Sequence, residues 1–376
     1  MKIIINIIIK EFLQLKRDPR LFSIIFISPV LQLILLGYAA NLDINNINTV
    51  VWDQDKTVTS RDFIDKFQSS GYFLINNYAD RYDRITELIN NGEDLWALVI
   101  PNDFEKKLQR NEQVKVQALF DGSDGNKAGI AFGYVTGVVS NYSKNVLLQI
   151  QNKMGIKTSF SGAVIPELRV WYNPDLKTRY FMLPGIVGLI LTIITTILMA
   201  MGVVKEREIG TLEQIIVTPI KPMQLIIGKT IPFIILGFID VFLVTGVMVF
   251  WFGIAIRGDF FYLMFASLIY VLSSLGIGLF ISTISKTQQQ AMMVAMFGIL
   301  LPMNFLSGFA FPIENMPGWI QPITYLIPLR YYITIIRGVI LKGDGFFQLI
   351  PETTALLVIG ILILILSSLR FRKRLG

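Results

Sequence analysis

The stretch TIPFIILGFIDVFLVTGVMVFWFGIAI, residues 230–256, carries one ionisable side chain, Asp240, in 27 residues. A bilayer core is about 30 Å thick and an α-helix rises about 1.5 Å per residue, so roughly 20 apolar residues cross it. Working outward, five more runs have this character: Leu21–Leu42, Tyr180–Val204, Phe260–Ser285, Thr287–Ile313 and Thr353–Leu369, the last extendable back to Leu349. Pro29, Pro184, Pro232 and Pro302 fall inside them, as membrane helices allow. The fold class read from this pattern is an α-helical integral membrane protein with six transmembrane helices. Between the first and second spans, residues 43–179 carry the pattern of an inserted α/β domain.

Composition agrees. The chain has 376 residues, 53% of them hydrophobic and 16% charged, against about 25% charged in soluble domains. Cysteine and histidine are absent, which removes disulfides, thiolate nucleophiles, Cys/His zinc sites and histidine triads. The net charge of +7 is a topology signal rather than a nucleic-acid footprint. With the N-terminus placed inside, the short inner segments hold fourteen Lys and Arg against five acids. The short outer loops hold only Arg257, Arg330, Arg337 and Lys342. Positive charge favours the cytoplasmic side, so both termini are expected there.

Residues 1–20 read as a separate cytoplasmic helix. Asn6, Lys10, Gln14 and Arg17 share one face, and Ile4, Ile5, Ile8, Ile9, Phe12 and Leu15 fill the rest. Such a helix lies in the membrane interface. A cleaved signal peptide ending near Gly37 or Ala39 is the rival; its apolar core would be shorter than this run.

In the 43–179 domain, strands are expected at Val50–Trp52, Tyr72–Ile75, Leu95–Ile100, Val114–Phe120 and Leu168–Trp171. Helices are expected at Ser60–Gln68, Tyr82–Ile89, Phe104–Leu108 and Lys127–Lys153. This alternation favours a small layered α/β fold. The acidic turn DGSDG at 121–125 has glycine where a calcium loop needs its fifth ligand, so Asp121, Ser123 and Asp124 read as a plain turn.

Gly228-Lys229-Thr230 resembles the end of a phosphate loop, but Met223 occupies the position of its first glycine and no strand precedes it. Lys229 reads as an interfacial anchor, and nucleotide binding is rejected. The loop 205–229, KEREIGTLEQIIVTPIKPMQLIIGK, has Glu206, Glu208 and Glu213 ahead of an apolar tip at Ile215, Ile216 and Val217. It reads either as an ordinary solvated loop or as an elbow that docks a partner.

At this loop a family likeness becomes specific. EREIGTLEQIIVTPI followed by KPMQLIIGK resembles the signature loop of ABC-2 type exporter permeases. SGFAFPIENMPGWIQPITYLIPLRYYITIIRGVILKG, residues 307–343, resembles that family's second signature. The motifs VVWDQD, ALVIPNDFEKKL and LFDGSDGN are similar to the multidrug or sodium efflux subfamily with a large extracytoplasmic domain. The resemblance implies no catalytic residues and no cofactor on this chain. ATP and magnesium would act on separate ABC ATPase subunits, and a second permease chain would complete a homodimer or heterodimer in a bacterial-type inner membrane. It implies that Glu206, Glu208, Gly210, Thr211, Leu212 and Glu213 couple to the ATPase, and that the N-terminal helix touches it as well. Nucleic acid is not an expected partner; membrane lipid is.

Two further features invite function. Residues 312–345 are punctuated by Pro312, Pro317, Pro322 and Pro328, and Asn315–Leu329 is charge-free but too short to span. A re-entrant segment at the outer mouth fits, with Trp319, Tyr325, Tyr331 and Tyr332 at headgroup depth. Arg330 and Arg337 there either snorkel or meet lipid phosphate or anionic cargo. Asp240 is the one ionisable side chain inside a span. It reads as a translocation-path residue for a cationic cargo or as a structural contact between two chains through Gln or Ser. Drug or cation efflux is the favoured function. A lipid or glycan exporter and a membrane-anchored receptor or scaffold are the alternatives.

Overall fold

A computed structural model describes residues 2–40, 46–154, 171–173, 177–210 and 222–375. It divides into two compact units: Leu42–Leu168, and Met1–Asn41 with Arg169–Gly376. The elements in chain order are α1 (Lys2–Arg17), α2 (Ser23–Ala39), β1 (Ile47–Asp53), α3 (Val58–Ser69), β2 (Phe73–Tyr78), α4 (Tyr82–Asn90) and β3 (Trp96–Ile100). There follow α5 (Phe104–Gln109), β4 (Gln117–Phe120), α6 (Gly125–Met154), α7 (Thr178–Glu208), α8 (Pro222–Phe250) and α9 (Phe260–Ile284). The chain ends with α10 (Gln288–Leu306), α11 (Pro328–Arg337) and α12 (Ile350–Leu375).

The Leu42–Leu168 unit is a four-stranded sheet in the order β2-β1-β3-β4, parallel except for the antiparallel β3–β4 pair. The period-two alternation of β3 decides its layers. Trp96, Leu98 and Ile100 join Phe63, Phe67 and Phe104 on one face, while Ala97 and Val99 join Ile85 and Leu88 on the other. Helices cover both faces, which is why β3 reads as a continuous apolar run. The buried Trp96 indole N–H is satisfied by donating to Thr49 Oγ1 at 2.7 Å. Helix α3 starts on a capping box: Thr57 Oγ1 accepts from the Ser60 amide, and Ser60 Oγ accepts from the Thr57 amide. Asp121 Oδ1 accepts from the Ser123 amide and Asp124 Oδ1 from the Lys127 amide, so the acidic turn closes on itself and leads into α6. Of the strand expected at Leu168–Trp171, the first three residues lie outside the described residues, and Trp171 is irregular.

The other unit is helical. Among the described residues, α7, α8, α9, α10 and the Ile350–Phe371 part of α12 are long and apolar enough to cross a membrane, and the apolar helix Ser23–Ala39 is shorter. Helices α7 and α9 form its centre: 72 and 78% of their most apolar windows are buried, against 17 and 22% for α10 and α12. The latter two therefore present apolar faces outward. Gly278 permits the central contact, because a Cβ there would stand 2.5 Å from the Thr196 carbonyl oxygen of α7. Both termini lie at one end: α1 packs Ile7 on Gly228 of α8, and Ser368 of α12 lies 3.9 Å from the Met223 sulfur.

Several boundaries differ from expectation. Helix α7 continues four residues past Val204, through Lys205–Glu208, and α8 begins at Pro222 instead of Thr230. Much of the expected 205–229 loop is thus helix. Helix α10 stops at Leu306, short of Ile313, and contains a π-helical turn at Val294–Leu300.

Candidate functional site

Glu206 and Glu208, expected to couple to a partner, lie in the run KERE at the last turn of α7. Each of the four charges in that run is engaged with another element of the same chain. Lys205 Nζ pairs with Asp18 Oδ2 at 3.2 Å, on the link between α1 and α2. Glu206 is buried and pairs with Lys10 of α1 and, through Oε2, with Lys229 Nζ of α8 at 3.1 Å. Arg207 donates to the carbonyls of Ser282 and Ser285 at 3.0 and 2.8 Å, where the last turn of α9 leaves acceptors open. Glu208 Oε2 accepts from the amide and side chain of Gln288, the first residue of α10.

Lys229 sits at the centre of this hub and is 1% exposed. It is no interfacial anchor. Its ammonium donates to Glu11 Oε1 at 3.0 Å and to the Gly202 carbonyl at 2.9 Å, besides its pair with Glu206. Two hydrogen bonds and one further ion pair thereby surround the ammonium, the company a buried lysine needs. Glu11 is also buried, with Lys10 at 3.7 Å.

Glu206, Glu208 and Gly210 are therefore described, while Thr211, Leu212 and Glu213 lie outside the described residues. Gly210 has φ +78°, a left-handed conformation that suits glycine, where the helix ends. Ile209 beside it is exposed. Sequence reasoning missed Lys10, Glu11, Lys205 and Arg207 as hub members. The available signal was an adjacent Lys10-Glu11 pair within an otherwise Ile- and Leu-rich helix.

Asp240 lies on α8, one turn beyond Gly237, which packs against Thr195 of α7 and Val271 of α9. It is 0% exposed, and neither carboxylate oxygen has a hydrogen-bond partner among the described residues. A side chain enclosed by its own helices does not lie at a face between two chains. Elsewhere in the helical core, polar side chains of α7, α9 and α11 pair with one another. Tyr270 stacks on Tyr332 at 4.1 Å between centroids; Tyr270 pairs with Thr192, and Tyr332 with Ser267 at 2.8 Å. Tyr332 is consequently a core residue, not the headgroup-depth anchor expected.

At the end away from the termini, Pro312, Pro317 and Trp319 are exposed, and Tyr331 donates to the Tyr325 carbonyl at 3.0 Å. Arg330 pairs with Thr324 and lies 3.9 Å over the Tyr325 ring. Arg337 donates to the carbonyls of Phe181 and Gly308, each at 3.2 Å, and stands 3.7 Å over the Phe181 ring. It joins the start of α7, the turn after α10 and α11, so it does not snorkel.

Known proteins are similar to this chain in sequence. The family model described as "ABC-2 family transporter protein" matches residues 19–369. The "Probable multidrug ABC transporter permease YbhS" of Escherichia coli strain K12 is 33% identical over 364 residues, 96% of this chain and 93% of that protein. YbhR of the same strain, which carries the same description, is 32% identical over 337 residues, 90% of this chain and 89% of its own length. The "Inner membrane transport permease YhhJ" is 24% identical over 380 residues, 99% of this chain and 98% of that protein. The whole-length match and the apolar helices it covers place this chain in the ABC-2 family of transporter proteins.

Proposed function

We propose that this chain is the permease subunit of an ATP-binding cassette exporter that moves a drug-like or cationic substrate out of a bacterial cell. ATP is hydrolysed by a separate subunit that docks below the membrane. The Ser23–Ala39 helix counts as the first of six spans, both termini are cytoplasmic, and the α/β unit is extracytoplasmic. Family membership and the names of the YbhS and YbhR relatives support the substrate class.

The observation that carries this reading is the KERE hub. Residues 211–221 follow it directly, and the hub joins the helix that enters that segment to α1, the α1–α2 link, α8, α9 and α10. A partner that pushes on Thr211, Leu212 and Glu213 moves five elements through one rigid turn. Glu206 then acts as a positioning residue that fixes the turn, and Glu208 and Gly210 set the exit angle of the loop. Asp240 marks the translocation path, reached when α7, α8 and α9 part. Pro312, Pro317, Trp319, Arg330 and Tyr331 belong to a re-entrant cap at the outer mouth.

The test is export from proteoliposomes containing this chain and its ATPase, screened over ethidium, sodium and lipid. ATP-dependent movement of ethidium is expected. ATP hydrolysis by the purified chain alone would overturn the division of labour, and export of lipid alone would overturn the substrate class.

A further inference from the structure

A cavity of about 520 Å³ opens beside the hub, between α1, the start of α2, α7 and α8. Its wall is apolar: Ile24, Leu198, Met201 and Phe233. Its rim is polar and carries both signs, with Asp18 and Lys205 paired at 3.2 Å and each partly exposed. Gln14 and Gln288 add uncharged donors and acceptors to that rim.

Depth and charge together select an occupant. Helix α1 leaves Ile5, Ile9 and Leu13 exposed, an apolar face that belongs against acyl chains. The cavity therefore sits where headgroups meet hydrocarbon. Lys205 and Asp18 stand side by side at the rim, while Glu11 and Glu206 deeper in the lining are held by Lys10 and Lys229. A headgroup holding a phosphate and a primary ammonium a few bonds apart meets both Lys205 and Asp18. A quaternary ammonium has no N–H to donate to the carboxylate.

We infer that this cavity is a binding site for one zwitterionic aminophospholipid of the leaflet that α1 lies against, with the phosphate on Lys205, the ammonium on Asp18 and an acyl chain against Met201 and Phe233. The inference rests on the reading of the chain as a membrane permease. A lipid seated there would brace the α1–α7–α8 junction that the hub fastens.

The experiment is native mass spectrometry of the full-length chain released from vesicles holding equal parts of phosphatidylethanolamine, phosphatidylcholine and phosphatidylglycerol with matched chains. One phosphatidylethanolamine is expected to stay bound, with about tenfold preference over the other two. Met201→Trp and, at an exposed wall position, Ile24→Trp should each remove it, with folding checked by size-exclusion profile. Phe347→Trp, at an exposed site outside the cavity lining, should retain it. Equal retention of the three lipids, a preference for phosphatidylglycerol, or retention unchanged in Ile24→Trp would overturn the inference. So would tetraphenylphosphonium held in place of every lipid, which would make the cavity a cargo-loading site. A complex that exports ethidium yet shows no lipid preference fails this inference alone; one that binds the lipid yet never exports fails the proposed function alone.

Discussion

The two ends of the helical unit hold their charges in different ways. At the end with the termini, charge meets charge: Glu11, Glu206 and Lys229 form one buried network that the half-exposed Lys10 joins, and Lys205 pairs with Asp18. At the opposite end, Arg330 and Arg337 pair with no carboxylate among the described residues and are held by carbonyls, a threonine and aromatic rings. Breaking a buried ion pair by removing one partner costs about 3–5 kcal/mol, whereas a cation–π contact contributes about 0.5–2 kcal/mol. The first arrangement fastens helices into one body. The second is the weaker fastening, at the end proposed as the outer mouth. A permease driven from one side needs both: a stiff end to receive the stroke and a softer end to open.

The largest effect should come from unbalancing the stiff end. Lys229→Met leaves Glu11 and Glu206 buried with their central cation gone, and should lower stability by about 3–5 kcal/mol. Thermal unfolding of the purified chain measures this; wild-type stability would mean the network is not a fastener. Asp240→Asn removes a buried carboxylate that has no partner to lose, so folding should survive unchanged or improve. Ethidium export should nevertheless fall about tenfold, equivalent to about 1.4 kcal/mol. Unchanged export at normal expression would reduce Asp240 to a structural residue.

At the soft end, Arg337→Lys keeps the charge but loses the planar fork that reaches Phe181 and Gly308 together. A loss of about 1 kcal/mol is expected in the same unfolding assay, smaller than that for Lys229→Met. A larger loss would invert the comparison between the ends. The smallest effect lies in the α/β unit. Burial raises the carboxyl pKa of Asp94 above its ordinary value, against the opposing hydrogen bond from Asn77. Because the folded value lies above the unfolded one, the stability it contributes is present in acid and is lost as pH rises through the folded pKa. Asp94→Asn should therefore stabilise this unit slightly at neutral pH and lose that advantage as the solution is acidified through the carboxylate range. Tryptophan-detected melting at two pH values checks the sign, since Trp96 lies in this unit's core.

Much of this architecture was legible in the chain. Long apolar runs announce spanning helices because a bilayer offers no other partner for backbone groups, and β3 announces itself because WALVI has no polar position to expose. The ends of the helices were not legible. Charges such as Lys205–Glu208 and Lys229 look like loop signals, yet they are helical because partners distant in sequence, Asp18, Glu11, Ser282 and Gln288, satisfy them. Tyr332 misled for the same reason: a tyrosine near a proline-rich segment looks interfacial until Tyr270 and Ser267 are seen to enclose it. Tertiary pairing is invisible to hydropathy, and the candidate site consists mostly of such pairs. Thr211, Leu212 and Glu213 rest on family likeness and lie outside the described residues.

The central claim is that the hub transmits the stroke as well as fastening the helices. Replacing all three central charges with apolar side chains of similar size, Glu11→Leu with Glu206→Leu and Lys229→Met, should preserve folding, since such replacements are neutral or stabilising in other buried networks. The decisive measurement is substrate exported per ATP hydrolysed by this variant in proteoliposomes with the partner ATPase. The account predicts a folded complex that hydrolyses ATP but exports about tenfold less per ATP than wild type. Wild-type export per ATP from the folded apolar variant would show that the hub only holds the helices together, and would contradict it.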